Sequence, residues 1–194
     1  MSLFAGGKGN TPLSPEEEDD LIPALATKQE LNEWERQNIL AANQWAFAPR
    51  NRRDPLDETY LRILHRHMFD ATWKWAGKYR TTEKNIGVPF YRIREELAIL
   101  LADANFWREH GTYALDELAV RLHHRLVWIH PFANGNGRHA RLIADVIASR
   151  GGRPVFSWGS AEIASTGQVR RRYIEALQSA DKGNIQPLLQ FARS

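Results

Sequence analysis

Along most of this chain apolar residues recur at steps of three and four, the spacing of one face of an α-helix. The clearest stripe is Leu115, Leu118, Leu122, Leu126 and Ile129. It stops at His130, because Pro131 follows and a residue before proline is pushed out of the α region. An earlier stripe carries Leu31, Trp34, Asn38 and Trp45, with a Thr27/Glu30 capping box at its start and Pro49 just past its end. A third helix is predicted from about Pro55-Leu56-Asp57, carrying Leu61, Leu64, Met68 and Phe69 and ending before Gly77. Ser14-Pro15-Glu16-Glu17 predicts a short first helix, with an N-cap serine and a proline at the first helical position. Further helices are expected over residues 94–108, from near Gly137 to Gly151-Gly152, and around 161–178 and 185–192. The stretch Lys78 to Tyr91 breaks this habit. Its β-leaning Tyr79, Thr81, Thr82, Val88, Phe90 and Tyr91 flank a Lys84-Asn85-Ile86-Gly87 turn, so a small β-hairpin flap is expected there. The fold class that follows is all-α with a small β-hairpin flap.

Composition narrows this picture without redirecting it. The 194 residues suit one domain with a sizeable core. The reading is a glycine-rich, disordered leader at 1–12 and a single domain at 13–194, with 13–50 as an N-terminal helical extension. No apolar run is long enough to span a membrane, and the N-terminus has no signal-peptide pattern. Cysteine is absent, which excludes disulfides and cysteine-held metals and fits a cytoplasmic location. A formal charge of +3 does not call for nucleic acid. Arg170-Arg171-Arg172 reads as a solvated helix face, and the seven tryptophans read as core. The histidine spacings match no zinc pattern, and His124 is expected to face solvent or a neighbouring helix.

The chemistry concentrates in His130-Pro131-Phe132-Ala133-Asn134-Gly135-Asn136-Gly137-Arg138-His139-Ala140-Arg141. A helix delivers His130 to its C-terminal end, a tight glycine loop follows, and a new helix begins. Glycines allow positive φ and close approach to a ligand. The loop amides and the free N–H groups of the next helix form an anion nest. Arg138 and Arg141, three apart, share a face of that helix's first turn, and two guanidiniums beside an amide nest suit a polyphosphate. His130 is the side chain whose near-neutral pKa suits a general base.

This loop resembles the signature of the Fic family, His-x-Phe-x-(Asp/Glu)-Gly-Asn-Gly-Arg-x-x-Arg, at every fixed position except Asn134. The resemblance implies a helical nucleotidyltransferase domain that moves AMP from ATP to a Ser, Thr or Tyr hydroxyl of a target protein. In it His130 would deprotonate the hydroxyl and Phe132 would anchor the loop. Gly135, Asn136 and Gly137 would cradle the phosphates, and Arg138 and Arg141 would neutralise them. The family's acid, which helps hold Mg²⁺, is replaced by Asn134, a neutral oxygen donor that magnesium favours less. Leu64-His65 through Trp75-Ala76-Gly77-Lys78-Tyr79-Arg80 resembles the family's approach to its flap. There Lys84, Asn85, Ile86, Gly87, Val88 and Pro89 would dock the target as an added strand. The head, Glu30 to Glu35 through Trp45, resembles the branch called mobile mystery protein B. That implies a small helix-turn-helix partner of the mobile mystery protein A type, an arrangement like a bacterial toxin–antitoxin pair.

The resemblance leaves rivals open: transfer of a phosphoryl, UMP or phosphocholine group, or a catalytically silent nucleotide-binding module with Asn134 as its mark. The family's inhibitory pattern, (Ser/Thr)-x-x-x-Glu-(Gly/Asn), has no full match here. Ser14 to Glu18 comes nearest but is followed by Asp19, so any control is expected to come from an outside partner.

Overall fold

Side-chain caps fix where the first helices begin. In the computed structural model, which describes residues 12–160 and 166–194, Ser14 and Glu17 exchange hydrogen bonds to open α1 (Pro15–Glu18). Thr27 and Glu30 repeat that capping box at α2 (Lys28–Ala46). Asp57 caps α3 (Glu58–Phe69) by accepting from the Thr59 and Tyr60 amides. Each cap satisfies amides that the helix itself cannot, for about 1 kcal/mol apiece. A 3-10 turn (Phe90–Arg92) then leads into α4 (Ile93–His110), α5 (Leu115–Ile129), α6 (Asn136–Arg150), α7 (Thr166–Asp181) and α8 (Gln186–Arg193). The start expected for α7, 161–165, and most of the expected leader, 1–11, lie outside the described residues. Pro12, at the end of that leader, is tied down: its carbonyl accepts from Lys84 Nζ at 3.0 Å.

The α5–α6 pair forms the centre of the molecule. The stripe Leu118, Leu122, Leu126 and Ile129 is buried as its spacing requires. Opposite it, α6 buries Leu142, Ile143, Val146 and Ile147 together with Ala140, Ala144 and Ala148. Alanines at four-residue steps line one face of α6 with small side chains, which permits close helix packing. Around this pair α3 lies against α6, α2 against α3, α4 and α8 against α5, and α7 against α8. No helix among the described residues is long and apolar enough to cross a membrane.

Two expectations need correction. The flap forms no β-hairpin, and no strand occurs among the described residues; an isolated bridge joins Tyr79 to Phe132. A hairpin needs its arms to bond each other, and here their polar groups bond elsewhere. The Arg80 and Val88 amides donate to the Pro131 and Ile129 carbonyls, while the Thr82 and Val88 carbonyls accept from the Arg80 guanidinium. The tryptophans also divide. Trp73, Trp75 and Trp158 are core, but Trp34 and Trp128 are exposed. Trp34 uses its indole N–H on the Ala71 carbonyl, and Trp128 carries Arg125 on its ring.

Candidate active site

The loop between α5 and α6 is built by turns its sequence dictates. Pro131 denies His130 the right-handed helical region, and His130 adopts the left-handed one, φ 55°, closing α5 with its N–H on the Leu126 carbonyl. Phe132 then drops fully into the core, stacked on His65 at 3.6 Å between ring centroids. The buried Asn136 side chain clamps the turn. It accepts from the Phe132 amide at 2.9 Å and donates to the Phe132 carbonyl at 2.8 Å. Its amide group is therefore committed to the loop, and Asn136 can offer a ligand only its backbone N–H. Gly135, φ 78°, caps α6, and a Cβ there would enter the ring of Phe69. The first helical bond runs from His139 N–H to the Gly135 carbonyl. The amides of Asn136, Gly137 and Arg138 consequently find no acceptor among the described residues, and they form the positive end of a fifteen-residue helix. That is the anion nest.

The two arginines differ in their surroundings. Arg141 lies over the Tyr173 ring, 5.5 Å to its centroid, and its Nε–H reaches only its own helix at the Gly137 carbonyl. Tyr173 belongs to α7; its hydroxyl meets the buried His123 at 3.0 Å. Arg138 rests on the Phe69 ring and is already ion-paired, at 2.5 Å, to Glu35 of α2. Glu35 is also fixed by the Trp73 indole N–H at 2.9 Å. An acid thus meets the first arginine of the motif, although no inhibitory pattern is legible in the sequence. Its signal was only Glu35 standing on the same head helix as Trp34. Asn134 turns its side-chain oxygen to the Gly135 amide at 2.6 Å. A neutral oxygen so engaged is a poor fit to Mg²⁺, and among the described residues no group of three acids or histidines could hold an ion.

His130 is almost fully covered, 5% exposed. Burial foremost, then the charge of Arg80 and, more weakly, Lys84, hold its pKa down at about 4, with a hydrogen bond to the Val127 carbonyl opposing them. The near-neutral value expected of the bare residue is corrected accordingly: the imidazole is neutral throughout the physiological range, with its proton-accepting form fully populated. What covers it is the flap. A Cβ on Gly87, φ 98°, would stand 2.6 Å from His130 Cβ. Lys84 pairs with Glu17, which also accepts from the Thr82 hydroxyl at 2.9 Å. Val88 is buried, whereas Asn85, Ile86, Phe90 and Tyr91 are exposed at the rim.

His65, to which the sequence assigns no role of its own, joins these parts. The Gly77 N–H donates to its Nδ1 at 3.0 Å, so Nε2 carries the hydrogen and donates to the Asn134 carbonyl at 3.0 Å. One buried neutral ring therefore links the flap's base to the loop. His124, as expected, faces a neighbouring helix and meets Asp181 of α7 at 2.8 Å.

Residues 55–148 match the Fic/DOC family model. The protein adenylyltransferase Fic of Nematostella vectensis is 32% identical over 142 residues, 71% of this chain and 30% of that protein. The protein adenylyltransferase fic-1 of Caenorhabditis briggsae is 34% identical over 120 residues, 60% of this chain and 22% of that one. The chain thus spans between about a fifth and a third of the length of these curated relatives. Among solved structures, Fic-1 of C. elegans superposes with a TM-score of 0.68 at 24% identity, covering 92% of this chain and 52% of that one. BepC of Bartonella tribocorum, solved with bound AMPPNP, gives 0.68 at 21% identity, covering 93% and 97%. The helical frame, the loop and the family match agree, and residues 55–148 of this chain are a Fic/DOC domain.

Proposed function

We propose that this chain is a protein adenylyltransferase, transferring AMP from ATP to a Ser, Thr or Tyr hydroxyl of another protein. The observation that carries the reading is the position of His130 across one short loop from three unpaired amides and two arginines. The amides of Asn136, Gly137 and Arg138, with Arg138 and Arg141, bind the triphosphate and stabilise the charge that develops on it. The neutral His130 ring takes the proton of the incoming hydroxyl. The hydroxyl oxygen bonds to the α-phosphorus, the bond from that phosphorus to the bridging oxygen breaks, and pyrophosphate leaves. Mg²⁺ bound with the nucleotide would supply neutralisation of phosphate charge, and Asn134 would offer it no charged ligand. Residues Lys84 to Pro89 position the target's backbone beside His130. The relatives named adenylyltransferases support the choice of AMP. The head of the chain supports the mobile mystery protein B branch with a small helix-turn-helix partner, and the absence of cysteine fits a cytoplasmic setting.

His130→Ala tests the reading directly. Cell lysate incubated with labelled ATP and the wild-type chain gains AMP-sized mass on protein hydroxyls, and the variant gives none. Equal labelling by both proteins rules His130 out as the base. One observation favours a second reading, a silent nucleotide-binding module: Asn134 stands where a charged ligand would be. That reading expects ATP affinity indifferent to Mg²⁺ and no turnover.

A further inference from the structure

We infer that Arg80 is the positioning residue of this site, tying both arms of the flap to the backbone that carries His130, so that the docking segment and the base move as one body. The inference rests on the transferase reading for its purpose, and on geometry for its substance. The guanidinium spends its donors on three separate pieces of chain. Nε donates to the His130 carbonyl at 2.7 Å, one terminal nitrogen to the Thr82 carbonyl at 2.9 Å, and the other to the Val88 carbonyl. The same loop is met by the backbone: Arg80 N–H reaches the Pro131 carbonyl at 2.9 Å and Val88 N–H the Ile129 carbonyl at 3.3 Å. A planar fork with fixed donor directions can hold three carbonyls in one plane, which a single ammonium on a flexible stem cannot.

Stability alone does not explain an arginine here. Its side chain is 0% exposed, and the closest carboxylate, Glu83, stands 3.9 Å away and is itself 59% exposed. A buried cation with so distant a counter-charge costs solvation, and an apolar side chain of similar volume is commonly neutral or stabilising at such sites. Burial accordingly pushes the Arg80 pKa down. What the cation does and a methionine cannot is replace the missing cross-strand ladder. Because Gly87 lies directly on His130, any slackening of the two arms opens the space over the base.

Arg80→Lys and Arg80→Met in the full chain, followed by amide hydrogen exchange, ATP titration and transfer of label from ATP onto the chain itself, test this. Both variants exchange the Val88 amide at least tenfold faster than wild type, with α5 and α6 unchanged. Both bind ATP within twofold of wild type, yet transfer at least tenfold more slowly. Arg80→Lys behaving as wild type overturns the proposal, because charge alone then suffices. Faster exchange spread evenly through α5 and α6 overturns it too, because the role is then general stability. Should wild type transfer nothing, either onto itself or onto the proteins of a cell lysate, the adenylyltransferase reading fails, while the exchange pattern still decides the role of Arg80.

Discussion

Glu35→Gln should tighten ATP binding by about five- to thirty-fold. Arg138 is the first guanidinium of the motif and forms one wall of the anion nest, but its charge is already matched by Glu35 at 2.5 Å. A triphosphate oxygen must displace or share that carboxylate before it can use Arg138. The pair is intermediate in burial, with the arginine side chain 35% and the glutamate 12% exposed. A charge-assisted bond in such a setting is worth about 1–2 kcal/mol, above a fully exposed pair and below a buried one. At 1.4 kcal/mol per tenfold, that gives the stated range. Glutamine keeps an oxygen for the Trp73 indole N–H, so α2 stays docked. Arg138 also keeps its seat on Phe69, 4.9 Å from the ring centroid, and does not collapse away from the nest. Calorimetric titration of both proteins with a non-hydrolysable ATP analogue measures the difference. Weaker binding by the variant would refute the reasoning, since Glu35 would then be presenting Arg138 to phosphate instead of competing with it. An unchanged Kd would show that phosphate does not use this guanidinium.

Gly135→Ala must combine φ 78° with a methyl inside the Phe69 ring; it should cost about 2–4 kcal/mol in chemical denaturation and abolish ATP binding. Asn136→Ala removes both bonds to the Phe132 backbone and should cost about 2–3 kcal/mol by the same assay. Asn134→Asp keeps an acceptor for the Gly135 amide and adds a charge, so ATP affinity should rise with Mg²⁺ more steeply than in wild type, as a magnesium titration would show. The acid response follows from buried histidines. His130 and His139 sit at about 4 when folded, mainly through burial, and titrate near 6.5 when unfolded. The unfolded chain therefore binds more protons between those values. Stability is complete above about pH 6.5 and falls on acidification by about 3 kcal/mol per histidine at pH 4; denaturation midpoints flat from pH 7 to 5 would contradict it. Transfer activity of molecules still folded should persist down to about pH 5, because the His130 base is lost only near 4.

What the sequence could disclose was local, and what it could not was a matter of where side chains travel. Caps and periods act within one turn, so Ser14, Thr27 and the α5 stripe announced their helices correctly. The loop from His130 to Arg141 is also local, with glycine, proline and charge packed into twelve residues. A phosphate-binding role for it could be proposed before any coordinates. The flap could not be read in the same way. Alternating β-formers suit a hairpin, but whether one forms depends on competitors for the backbone carbonyls. Here the competitor is a side chain of the flap itself, Arg80, whose donors replace the ladder. Nor can spacing anticipate that Asn136 turns back onto Phe132, or that Glu35 crosses 103 positions to reach Arg138. Arg80 and Asn136 hold backbone groups of the site in place and Glu35 occupies one of its guanidiniums, and none of the three presents itself to a ligand. A motif read as an inventory of ligand contacts therefore overcounts. In this loop the groups open to a phosphate would reduce to three backbone amides and two guanidiniums, one of them already occupied, and the remaining residues are the frame that keeps those five groups apart.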